Sequence, residues 1–149
     1  MDHLPALAVS DVRDASRCRL RLTVPAHAEN VQLAREAVNA ISDRLGLSRA
    51  LTEDIRLAVT EACTNVVRHA YDGPGGTLTV EVDPFEAGLR IEVRDSGCGE
   101  RARPTAESAG FGIPLIDALA LRHEIELAKS GGRTVRMFFV PRTGRFTPS

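Results

Sequence analysis

Apolar positions along the chain switch between two periods, and each switch marks an element. Leu20, Leu22 and Val24 alternate with polar residues, which predicts a half-buried strand from Leu20 to Val24. Val31, Ala34, Val38, Ile41 and Leu45 then recur at steps of 3, 4, 3 and 4. That is the stripe of an amphipathic helix, ended near Gly46. Ser48 can cap a second helix, with the stripe Leu51, Ile55, Ala58, Ala62 and Val66, running to about Ala70 before Asp72-Gly73-Pro74-Gly75-Gly76. Two alternating runs follow, Leu78-Val80-Val82 and Leu89-Ile91-Val93, and the five residues Pro84 to Gly88 between them suit a hairpin loop. Asp95 to Gly112 reads as irregular. A third helix begins near Ile113 and carries Leu115, Ile116 and Leu119, with Pro114 tolerated only in its first turn. Two last strands, around Glu124 to Ala128 and Thr134 to Val140, flank the turn at Ser130-Gly131-Gly132. The order β-α-α-β-β-α-β-β with hairpin-linked strands predicts an α+β fold: a two-layer sandwich of a mostly antiparallel sheet with helices on one face.

Length and charge narrow this picture. A chain of 149 residues has room for one domain. The expected organisation is a loose lead-in over residues 1–17, one domain over 18–141 and a tail over 142–149. Hydrophobic residues at 43% and charged residues at 26% fit a soluble globular chain. No apolar run approaches the roughly 18 residues of a membrane helix. Asp2 and Asp11 stand where a signal peptide would be basic and then apolar, so a cytoplasmic location and no membrane partner are expected. With 19 Lys+Arg against 20 Asp+Glu, the formal net charge of -1 argues against nucleic acid as a ligand. Cys18, Cys63 and Cys98 form neither a zinc pattern nor a disulfide framework, which leaves reduced thiols.

Candidate chemistry begins on the second helix. Glu61, Asn65, Arg68 and His69 lie at i, i+4, i+7 and i+8, one polar stripe about a quarter turn from the apolar one. An Asn oxygen is a hard ligand for Mg²⁺, and a nearby Glu can accept a proton from a hydroxyl or orient a water. A solvated helix face is the plainer alternative, and for the stripe alone it is the commoner one. Downstream, Asp95-Ser96-Gly97-Cys98-Gly99 follows a strand and Gly110-Phe111-Gly112 opens a helix, where backbone N–H groups can approach an anion. Taken singly, each is an ordinary turn.

In this order, Glu-x-x-x-Asn, Asp-x-Gly-x-Gly, Gly-x-Gly and Gly-x-Thr resemble the four boxes of the GHKL ATPase superfamily, which includes gyrase, heat-shock chaperones, histidine kinases and mismatch-repair proteins. The run Leu57-Ala58-Val59-Thr60-Glu61-Ala62-Cys63-Thr64-Asn65-Val66-Val67-Arg68-His69-Ala70-Tyr71 looks like the N-box of the bacterial anti-sigma factor serine kinases. Gly112-Ile113-Pro114-Leu115-Ile116 and Gly132-Arg133-Thr134-Val135-Arg136-Met137 agree with that subfamily, so the resemblance spans roughly residues 20–140.

The resemblance implies a histidine-kinase-like (Bergerat) ATP-binding domain over 18–141, using ATP and Mg²⁺. It makes Glu61 the general base for a serine hydroxyl and Asn65 the Mg²⁺ ligand. Asp95 is matched to the acceptor for the adenine amino group, and Gly97 and Gly99 to the wall of that pocket. Gly110 and Gly112 would present amides to the phosphates, and Thr134 would complete the adenine contact through a water. Arg35 matches an Arg turned toward the protein partner. The implied partners are a sigma factor, kept from RNA polymerase, and a small antagonist protein that accepts the phosphate; a homodimer is implied too. Two departures bear on transfer rate. Only ten residues, Glu100 to Ala109, separate the glycine boxes, and Leu121 stands where family sequences often carry Asp. They leave open a nucleotide-binding regulatory module with weak or no kinase activity.

Overall fold

Strict alternation gives a sheet with one buried face, and this chain uses it on nearly every strand. The computed structural model describes residues 8–9, 19–71, 75–85, 88–97 and 113–141. Its strands are β1 (Ala8–Val9), β2 (Leu20–Pro25), β3 (Thr77–Phe85), β4 (Gly88–Asp95), β5 (Arg122–Leu127) and β6 (Arg133–Phe139). They form one sheet in the order β1-β2-β3-β4-β6-β5, each neighbouring pair antiparallel. The helices are α1 (Ala28–Arg44), α2 (Arg49–His69) and α3 (Ile113–Leu119). The α+β sandwich expected from the pattern is the one observed.

The core forms where the apolar stripes of the helices meet the apolar rows of the strands. Leu22, Val24, Leu78, Val80, Val82, Leu89, Ile91, Val93, Val135, Met137 and Phe139 supply the sheet side of it. Val38, Ile55, Val59, Cys63 and Ile116 supply the helix side. The intervening strand positions lie on the opposite face and form a lattice of ion pairs. Arg136 holds Glu92 at 2.7 Å, Glu124 at 3.0 Å and Glu126 at 3.1 Å. Arg94 joins Glu92 at 2.9 Å to Glu81 at 3.0 Å. Each such pair, open to water on this face, contributes up to about 1 kcal/mol, so the lattice solvates this face more than it stabilises the fold.

Local signals fix the helix ends. The Ser48 hydroxyl accepts from the Leu51 N–H at 3.1 Å, the side-chain cap that its position predicts. At the other end of α1, Gly46 takes φ +70, while its N–H and that of Leu47 donate to Asp43 and Ser42. This pairing closes the helix by the Schellman pattern, and it requires a residue at ease in the left-handed region.

Two differences from the sequence pattern have physical causes. The connection between β3 and β4 is two residues, not the expected five, because Pro84 pairs with Leu89 and Phe85 with Gly88. Pro84 lies past Val82, the last β3 residue paired with β2, so its missing N–H falls where β3 no longer has two partners. Gly88 is a strand residue rather than a turn glycine. A Cβ there would sit 1.7 Å from the Phe139 carbonyl oxygen, so β6 passes too close for any side chain. At the other edge, Ala8 and Val9, within the segment read as a lead-in, pair with Arg21 and Leu20.

Candidate functional site

On α2, Glu61 and Asn65 stand one turn apart. Asn65 is 6% exposed, among the few buried polar residues, whereas Glu61 is half-buried at the rim. The helix turns its core stripe (Ala58, Ala62, Val66) inward, which leaves this neighbouring stripe at the edge of the sandwich. Cys63 lies between them but is fully buried, and burial pushes its thiol up to about 12. It is a core residue and no nucleophile at neutral pH.

Asp95 ends β4 in the same row as Leu89, Ile91 and Val93, so its carboxylate continues an apolar row into the layer between sheet and helices. Burial pushes its carboxyl above the ordinary range. The charge of Arg133 and the backbone N–H groups of Arg133 and Gly97 pull it back down without cancelling that rise. Gly97 adopts φ +67, and a Cβ there would lie 2.3 Å from the Gly131 carbonyl oxygen. A Cβ on Gly132 would lie 2.5 Å from the Asp95 carbonyl oxygen. The two glycines thus let the Asp95–Gly97 turn and the β5–β6 turn meet backbone to backbone. Gly99, Gly110 and Gly112 lie outside the described residues.

Thr134 is not brought to Asp95. Its cross-strand partners are Arg94 and Glu126, which lie on the ion-pair face. Asp95 pairs instead with Arg133, which is 7% exposed and shares the core-facing row with Val135, Met137 and Phe139. This placement follows from strand parity, since adjacent residues point to opposite faces. The charge of Arg133 also acts on the end of α2. His69 is held below its ordinary value by burial first, then by the charges of Arg68 and Arg133. The charge of Arg133 is thus felt both at the end of α2 and at Asp95. Arg35 donates to Gln32 one turn earlier on α1, and Leu121 is exposed.

A residue with no role in the motif reading joins the two halves. The Tyr71 hydroxyl, just past α2, donates to the Thr77 carbonyl at 2.6 Å and accepts from the Ser96 N–H at 2.8 Å. Its ring lies over Gly76, where a Cβ would come within 2.3 Å of it. Only its place at the end of the N-box run hinted at this. Tyr71→Phe keeps the ring and removes the bridge. It should lower stability by about 1 kcal/mol, read as a lower urea midpoint at unchanged slope. An unshifted midpoint would show that the bridge carries no weight.

Among the described residues there is no cluster of three or more His, Cys, Asp or Glu able to hold a metal. In the polar stripe of α2, the Asn65 amide supplies one buried hard oxygen donor. Such a donor fits Mg²⁺, which usually keeps its waters and substrate phosphates and takes only one or two protein ligands.

Residues 24–139 match the histidine kinase-like ATPase domain family. The serine-protein kinase RsbW of Halalkalibacterium halodurans is 46% identical over 133 residues, covering 79% of this chain and 80% of that protein. The protein of the same name from Bacillus mycoides is 35% identical over 132 residues, covering 80% and 82%. Among solved structures, that of the RsbU and RsbW domains of Rv1364c from Mycobacterium tuberculosis superposes with a TM-score of 0.66 at 21% identity. It covers 87% of this chain, which spans only 34% of that longer one, so the likeness is one of fold. The chain belongs to the histidine kinase-like ATPase domain family, and within it to the serine-protein kinases of the RsbW type.

Proposed function

We propose that the chain is an ATP-dependent serine-protein kinase that also binds a sigma factor, and that it phosphorylates a small antagonist protein in a partner switch. The observation that best supports this is the joining of two motifs on one side of the sheet. Tyr71, just past the Glu61–Asn65 helix, ties that end of the helix to Ser96, the neighbour of the half-buried Asp95. Asp95 accepts from the adenine amino group, and Gly97, with Gly99, forms the wall behind it. Gly110 and Gly112 present amides to the phosphates. Asn65 offers its oxygen to Mg²⁺, which when bound neutralises charge on the β- and γ-phosphate oxygens. Glu61 stands at the rim, where a protein serine can approach. It takes the hydroxyl proton as the oxygen bonds to the γ-phosphorus and ADP leaves.

With a formal net charge of -1, the chain acts on transcription by holding a protein rather than DNA. No described helix is long and apolar enough to cross a membrane, and a cytoplasmic homodimer is the form proposed here. The test is incubation with labelled ATP and a purified antagonist-type domain. Label on an antagonist serine, dependent on Mg²⁺, is the expected result. Intact nucleotide binding with no serine label would instead support a regulatory binding module.

A further inference from the structure

Adenine presents two neighbouring groups on its outer edge, an amino donor at N6 and a ring acceptor at N1. A carboxylate can take only the first, so a pocket that reads both needs a donor beside its acceptor. Thr134, the residue matched to that task by motif, lies on the opposite face of the sheet. Arg133 is the cross-strand partner of Asp95, directly opposite the carboxylate on its own face. It is 7% exposed at the open end of an apolar row. Arg19, Arg21, Arg90, Arg94 and Arg136 each hold a carboxylate, whereas Arg133 enters no ion pair among the described residues. A guanidinium keeps its charge in such a place and presents donors in a fixed planar fork.

We propose that Arg133 is the second reader of the purine edge, donating to adenine N1 directly or through one water while Asp95 accepts from the N6 amino group. The inference rests on ATP binding as proposed above and assigns specificity within that same pocket. Its electrostatics are consistent, because the charge of Arg133 favours the ionised Asp95 that burial disfavours. Guanine presents the opposite order, an acceptor at position 6 and a donor at N1. A fixed carboxylate and guanidinium therefore select against it.

The test compares binding of ATP and of 1-deaza-ATP, in which N1 is replaced by C–H, to the full chain. Wild type should bind ATP about tenfold more tightly than the analogue, the usual weight of one hydrogen bond from a charged donor. Arg133→Met should bind ATP about tenfold more weakly and treat the two nucleotides alike. Because the ratio is measured within one protein, partial destabilisation of the variant does not distort it. Thr134→Val should keep the wild-type ratio. The proposal is overturned if wild type shows no preference, a result that needs no variant, or if Arg133→Met retains it. Loss of the ratio in Thr134→Val would overturn it as well, by moving the reader to the other face. A wild-type chain that binds neither nucleotide would instead sink the ATP reading itself.

Discussion

Glu61→Gln should lower phosphoryl transfer by about 10²–10⁴-fold while ATP affinity stays at the wild-type level. The amide matches the carboxylate in size and still hydrogen-bonds, but it cannot accept the serine proton. Glu61 is half-buried at the rim of α2 and forms no part of the core, so the exchange should leave folding intact. Asn65, one turn further on and proposed to meet the nucleotide's metal, is untouched by the exchange. The measurement is single-turnover serine labelling at saturating ATP, with nucleotide affinity determined in parallel. Transfer at the wild-type rate would remove Glu61 from the role of base. A matching loss of ATP binding would make it a nucleotide-positioning residue instead.

What the sequence made legible, and what it hid, divide along a physical line. Periodicity reports one-sided burial, so the stripe from Val31 to Leu45 and the alternating rows of β3 and β4 could be read directly. Ser48 and Gly46 announced helix ends because capping is local chemistry. Pro84 and Gly88 misled for a tertiary reason. They are turn formers by propensity, yet one lies past the end of a partner strand and the other meets the Phe139 carbonyl. The site divided in the same way. The motif identified Asp95, and the structure finds it half-buried beside a backbone contact that only Gly97 and Gly132 permit. The word Gly-x-Thr names residue types but not which of two neighbours faces inward. Strand register alone could show that Arg133, and not Thr134, shares the face of Asp95. Tyr71 was hidden more deeply, since its hydroxyl joins residues brought together only by the fold.

Asp95→Asn should weaken ATP binding by about 100-fold, through the lost charge and a reversed donor pattern. The backbone N–H groups of Arg133 and Gly97 already donate to this side chain. In the amide, the single oxygen would turn toward them, leaving the NH₂ group to face the adenine amino group, donor against donor. Stability should move the other way. Burial holds the carboxyl of Asp95 above its unfolded value, so the folded state binds its proton more tightly than the unfolded chain does. The ionised carboxylate therefore opposes folding increasingly as pH rises through the carboxylate range. Asn carries no such penalty. Without nucleotide at neutral pH, the variant should melt no lower than wild type, and its advantage should shrink as pH falls through that range. ATP that saturates wild type should then raise its melting temperature far more than that of the variant. If Asp95→Asn binds ATP as tightly as wild type, the adenine does not rest on this carboxylate. If the variant instead melts well below wild type, Asp95 holds the fold together rather than being held in it at a cost.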